Sequence, residues 1–119
     1  MKLDPEGCLL RIFVGESDRH GGQPLYEWIV MQARADGLAG ATVLRGMMGF
    51  GANSRVIHTF KIERLSEDLP IVIEIVESRQ RIQQFLSHIE PQIQAGLVTL
   101  EKVEVRVYRS SSTTADRAE

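Results

Sequence analysis

Two stretches of the chain alternate with the period of a β-strand yet carry apolar side chains on both faces. In Cys8–Val14, Leu10, Ile12 and Val14 fall on one side, and Leu9, Arg11 and Phe13 on the other. In Ile71–Val76, Ile71, Ile73 and Ile75 oppose Val72, Glu74 and Val76. A strand with one wet face keeps polar residues along that face, and here only Arg11 and Glu74 are polar. Both therefore read as strands of a sheet whose second face is also covered, by a partner or by another part of the chain.

The segments that follow them have helical period. Pro24 suits a first helical turn, after which Leu25, Trp28, Ile29, Gln32 and Ala33 form a stripe ending near Gly37. Ser78 suits the N-cap of a second helix, whose apolar stripe is Ile82, Phe85, Leu86, Ile89 and Ile93. Pro91 should kink or divide that helix, and Gly96 should end it. Thr42, Val43 and Leu44 read as a second strand, and Val98 to Tyr108 as the last one. In that last strand Val98 and Leu100 are out of phase with Val103, Val105 and Val107, which predicts a bulge or bend near Glu101. Residues 52–69 are the least regular part, with Val56–Ile62 as a candidate hairpin arm and a loop feeding the strand from Ile71.

The order β-α-β-loop-β-α-β predicts an α+β, ferredoxin-like βαββαβ domain, a four-stranded antiparallel sheet with two helices on one face. One domain is expected over residues 1–109, followed by a mobile polar tail over 110–119. The sheet face away from the helices would be bare in a monomer, and oligomerisation is the natural way to cover it.

Composition excludes more than it assigns. The 119 residues carry 14 Lys and Arg against 16 Asp and Glu, so no broad cationic field exists to bind nucleic acid. The one cysteine, Cys8, excludes an internal disulfide and a multi-cysteine zinc site, and reads as a packing residue. No apolar run reaches the ~18 residues of a membrane helix, and residues 1–7 lack a signal peptide's apolar core. The expectation is a cytoplasmic protein with no direct membrane insertion. No Ser/His/Asp set, Walker loop or zinc spacing is present, so the chain reads as a non-enzyme.

The densest functional signal is the stretch from Gly37 to Gly51, with five glycines in fifteen residues. Glycines at a strand end let a ligand approach the backbone closely, and exposed N–H groups there can cradle an anion. They serve equally as a hairpin tip and tight packing. Arg45, Arg55, Lys61 and Arg64 face only Glu63 within 45–64, a local net of +3 in a chain of net −2. Arg45 could grip a phosphate or carboxylate, and Asn53, Ser54 and His58 add hydrogen-bonding groups. The candidate ligand site is thus Thr42, Arg45, Gly46, Gly49, Gly51, Asn53, Arg55 and His58. Glu16, Asp18 and His20 alternate after the first strand; they could help hold a divalent cation, or Glu16 or Asp18 could pair with those arginines.

These residues resemble the PII signal-transduction superfamily, and most closely a PII-like family of unassigned function. The resemblance rests on Gly40-Ala41-Thr42-Val43, then Gly49-Phe50-Gly51, then the loop leading to Leu69-Pro70-Ile71-Val72-Ile73-Glu74-Ile75-Val76. Gly96-Leu97-Val98-Thr99-Leu100-Glu101 and Gly15-Glu16-Ser17-Asp18 are similar to signatures of the unassigned subfamily. The likeness spans about residues 8–108.

It implies a homotrimer of ferredoxin-like protomers that takes a small anionic ligand, an adenine nucleotide among the candidates, between subunits. The segment from about 46 to 69 would be the long T-loop that engages a membrane transporter, channel or enzyme target. Two departures stand out. Ala52-Asn53-Ser54-Arg55 replaces the Arg-Gln-Lys-Gly of true PII proteins after Gly-Phe-Gly, and Gln94-Ala95-Gly96-Leu97-Val98 lacks their basic loop. No tyrosine lies between Ala52 and Asp68, so uridylylation is not expected. The alternatives are a CutA-like trimer binding a divalent metal through carboxylates and His58 or His20, and a structural trimer without a ligand.

Overall fold

The computed structural model describes residues 3, 5–51 and 68–111. Strand β1 (Glu6–Gly15) is followed by a small hairpin, β2 (Arg19–His20) with β3 (Gln23–Pro24), and then by helix α1 (Leu25–Ala35). Strands β4 (Thr42–Arg45) and β5 (Pro70–Glu77), helix α2 (Arg79–Ile89) and strand β6 (Leu97–Glu104) complete the frame. The main sheet has the order β4-β5-β1-β6, and every pairing is antiparallel. The hairpin turns through Gly21 and Gly22, both with positive φ, as a two-residue turn of this hand requires.

The two apolar rows do what their period predicts. Leu10, Ile12 and Val14 pair with Ile75, Ile73 and Ile71. Together with Ile29 and Ala33 of α1 and Ile82, Phe85 and Ile89 of α2, they form one core, so both helices cover the same face. Each fully buried isoleucine here contributes about 1.5–3 kcal/mol. Ser78 caps α2 by accepting the Arg81 N–H, at 3.3 Å. Cys8 is buried in the same core.

With Pro91 expected to kink or divide the helix, the α-helix stops just before it, at Ile89, and a single 3-10 turn, Glu90–Gln92, follows. Gly96, however, does not end the helix. It lies in the connection to β6 with φ +151, its Cα so close to β1 that a Cβ would sit 2.5 Å from the Phe13 carbonyl oxygen.

The bulge expected near Glu101 is absent. β1 and β6 pair one to one from Glu6 with Glu104 to Phe13 with Leu97. The phase conflict disappears because the two apolar sets serve opposite faces in opposite halves of β6. Val98 and Leu100 pack on the helix side, while Val103 and Val105 close over Gly7 with Val76 on the other. The strand also stops at Glu104, short of Tyr108. Beyond it the Val105 N–H donates to the Pro5 carbonyl at 2.8 Å, and the Tyr108 hydroxyl donates to Ala39 O at 2.7 Å.

The second sheet face carries Leu9, Phe13, Val72, Val76 and Val103 half-buried, with Leu44 and Leu97 exposed. Across its middle Arg11 bonds Glu74 on β5 (Nε to Oε2, 2.9 Å) and Glu101 on β6 (Nη1 to Oε1, 3.2 Å). The Glu74 hydrogen bond raises the Arg11 guanidinium above its ordinary range. At the far end of β5, Glu77 is the buried polar residue among the described ones. Its carboxylate accepts the N–H groups of Ala39 and Ser78, each at 3.0 Å, and Arg81 Nη1 at 3.1 Å. The candidate hairpin arm at Val56–Ile62, most of the expected T-loop and residues 112–119 of the expected tail lie outside the described residues.

Candidate functional site

Three strand ends meet where β1 leaves the sheet and β5 and β6 begin it. Pairing sets Gly15 opposite Pro70 and Phe13 opposite Leu97, so the chain segments that flank these strands converge there. The Glu16 N–H donates to Leu69 O at 2.8 Å, and the Gly46 N–H donates to Pro70 O at 2.7 Å. Gly46 is glycine for a reason of space: a Cβ would stand 2.7 Å from Pro70 Cγ. The Ser17 N–H donates to Asp68 Oδ1 and the Gly15 N–H to Asp18 Oδ2, both at 2.9 Å. Every one of these bonds crosses between elements or closes the turn after β1.

They enclose a cleft of about 340 Å³. Its walls are Phe13–Gly15 with Asp18, Gly49–Gly51 after β4, Asp68–Pro70 before β5, and Ala95–Leu97 before β6. Most of that lining is apolar, which suits a flat uncharged ring better than a charged group. The ionisable groups among the described lining residues are two carboxylates, Asp18 and Asp68. Neither is a bare charge, since each accepts a backbone N–H.

The expected ligand residues divide. Gly49 and Gly51 line the cleft, and Gly46 sits at its edge on Pro70. Arg45 lies beside it, held by Glu16 through Nε to Oε2 at 2.9 Å and Nη2 to Oε1 at 3.1 Å. That is the arginine–carboxylate pairing anticipated for Glu16. Thr42 does not reach the cleft; it is exposed on β4, opposite Glu74. Asn53, Arg55 and His58 lie outside the described residues.

Sequence reasoning passed over Phe13, Leu69 and Leu97 as site residues because each reads as ordinary strand or loop material. A signal was present. The segments 15–18 and 96–101, singled out only as subfamily signatures, both supply walls of the cleft.

Glu16, Asp18 and His20 do not converge on a common point. Glu16 holds Arg45, Asp18 holds the Gly15 N–H, and His20 lies against Trp28 with ring centroids 4.3 Å apart. Among the described residues no group of three or more His, Cys, Asp or Glu could hold a metal ion. Among the same residues no helix is long and apolar enough to cross a membrane.

Comparison with known proteins agrees with this architecture. Residues 7–105 match the DUF190 family, described as "Uncharacterized ACR", and the chain belongs to that family. It is 40% identical over 97 residues to a UPF0166 protein of Aquifex aeolicus, covering 82% of this chain and 90% of that one. A UPF0166 protein of Methanocaldococcus jannaschii is 36% identical over 78 residues, 66% of this chain and 70% of its own.

Among solved structures it is similar to CPII of Thiomonas intermedia K12 bound to ADP and bicarbonate. The TM-score is 0.60 at 19% identity, over 87% of this chain and 91% of that one. A PII-like signaling protein of Thermus thermophilus gives a TM-score of 0.55 at 21% identity, over 88% and 93%. The fold is thus the PII-like form of the ferredoxin-like sandwich.

Proposed function

We propose that the protein is a cytoplasmic, non-enzymatic PII-like regulator that binds a small anionic ligand and reports its presence to a partner through the segment from about 46 to 69. The observation that carries this reading is the cleft itself, where Gly49–Gly51 at the root of that segment meet Ala95–Leu97 and the exit of β1. A ligand seated there touches the base of the segment directly, so occupancy changes its preferred arrangement and its fit to a transporter, channel or enzyme.

An adenine nucleotide is the leading candidate. The apolar wall of Phe13, Phe50, Leu69 and Leu97 suits a heteroaromatic ring. Its phosphates then need cations that the described lining lacks. Arg45 at the rim and Arg55 supply them, with Gly46, Gly49, Gly51, Asn53 and His58 offering donors, and Thr42 near a neighbouring subunit. The CPII neighbour with ADP bound supports a nucleotide as the first ligand to try. The protein works as a homotrimer in which the second sheet face is covered.

Isothermal titration calorimetry with ATP, ADP, AMP and cyclic nucleotides tests the ligand. Binding of at least one at sub-millimolar concentration is expected. Silence from all of them at millimolar concentration sinks the nucleotide reading.

A further inference from the structure

We infer that the row Glu74–Arg11–Glu101 is the register element of an interface between copies of this chain on the open sheet face, an inference that rests on the self-assembly proposed above. The row runs across three strands, with signs minus, plus, minus on β5, β1 and β6. Its Glu74–Arg11 pair lies between two apolar pairs, Leu9 with Val76 on one side and Phe13 with Val72 on the other, and Glu101 reaches Arg11 diagonally from its place on β6 opposite Leu9. The uncharged polar neighbours on the same face are Thr42, opposite Glu74, and Thr99, opposite Arg11.

The apolar rows supply the attraction and cannot by themselves fix one arrangement, because flat aliphatic surfaces slide. A charged row in their midst makes sliding costly, since each misplaced charge is desolvated without a partner. Alternating signs also select the occupant. A facing copy set so that its Glu74 meets Arg11 places its own Arg11 against Glu74, because the two residues are direct partners across β1 and β5. A partner of a single charge sign would be repelled by one member of the row.

The row has unused capacity for such a neighbour. Arg11 spends Nε on Glu74 and Nη1 on Glu101, which leaves Nη2 for a carboxylate of the next copy. Glu101 remains 60% exposed and takes a single bond from Arg11, so it can accept a second donor.

Sedimentation velocity across a dilution series of the full chain tests this. The wild type should form one defined assembly. Arg11→Ala leaves two carboxylates facing each other, and should raise the midpoint concentration for dissociation about tenfold or more with an unchanged circular-dichroism spectrum. Glu101→Gln, at an exposed position that does not threaten folding, should shift it in the same direction by less. The triple change Arg11→Met, Glu74→Leu and Glu101→Leu should still associate but lose its single stoichiometry.

An Arg11→Ala midpoint equal to wild type, or a triple variant with the wild-type mass alone, overturns the role of the row while leaving self-assembly intact. A wild type that stays monomeric throughout overturns self-assembly itself, and the row's role with it.

Discussion

Gly96 stands so close to Phe13 that a Cβ on it would lie 2.5 Å from the Phe13 carbonyl oxygen, and its φ of +151 is one that L side chains rarely adopt. The oxygen belongs to backbone within the pairing between β1 and β6, so nothing can swing aside. Gly96→Ala should therefore lower the unfolding free energy by about 2 kcal/mol or more, as strained backbone and overlap together demand. Because Phe13 and Gly96 both line the cleft, ligand affinity should fall with it. Urea unfolding and calorimetry on the same preparation read both effects. A stability equal to wild type would contradict the close approach.

Glu77 joins two otherwise separate pieces of chain. Its carboxylate takes the Ala39 and Ser78 N–H groups and Arg81, while Arg81 Nη2 donates to the carbonyls of Asp36 and Gly37. The end of α1 is thereby tied to the start of α2. Glu77→Ala would leave two part-buried N–H groups and a guanidinium without their acceptor, at a cost of about 3 kcal/mol. Glu77→Gln keeps one acceptor oxygen and should cost less. Thermal unfolding should rank the two in that order.

Burial predicts a sharp contrast between neighbouring strands. Ile73 is fully buried, whereas Leu44 on adjacent β4 is exposed on the open face. Ile73→Ala should cost about 3 kcal/mol through lost burial and a residual cavity. Leu44→Ala should change monomer stability by less than about 1 kcal/mol. Chemical denaturation under dilute conditions, where assembly contributes least, compares them directly.

Much of this fold is written in local periodicity. The isoleucine row of β5 and the stripe of α2 each have one period and one destination, so position along the chain predicts burial. β6 defeats that logic because its even positions serve the helices near Leu100 while its odd positions serve the open face near Val103. A single strand with two apolar destinations looks like a broken one.

The cleft was legible only where glycine density marked it, at Gly49 and Gly51. Phe13 and Leu97 are far apart in sequence and become neighbours only through the register of β1 with β6. Nothing local to either residue announces that meeting. The partnership of Glu16 with the arginines was readable because a carboxylate in the turn after β1 and a local excess of cations from Arg45 onward attract each other.

Arg45 and Glu16 allow a structural role to be separated from a ligand role. The pair is partly exposed, so its own contribution to stability is about 0.2–1 kcal/mol. Arg45→Ala and Glu16→Ala should therefore unfold within about 1 kcal/mol of wild type and of each other. Ligand binding should split them. If Arg45 meets the phosphates, Arg45→Ala should weaken nucleotide affinity about tenfold or more, the range of a charge-assisted hydrogen bond. Glu16→Ala removes the carboxylate that competes for the same guanidinium, so it should bind at least as tightly as wild type. Calorimetric titration of the three proteins with the nucleotide that the wild type prefers decides between the roles. Equal losses in both variants would mean that the pair only shapes the turn after β1, and that the anion is held elsewhere.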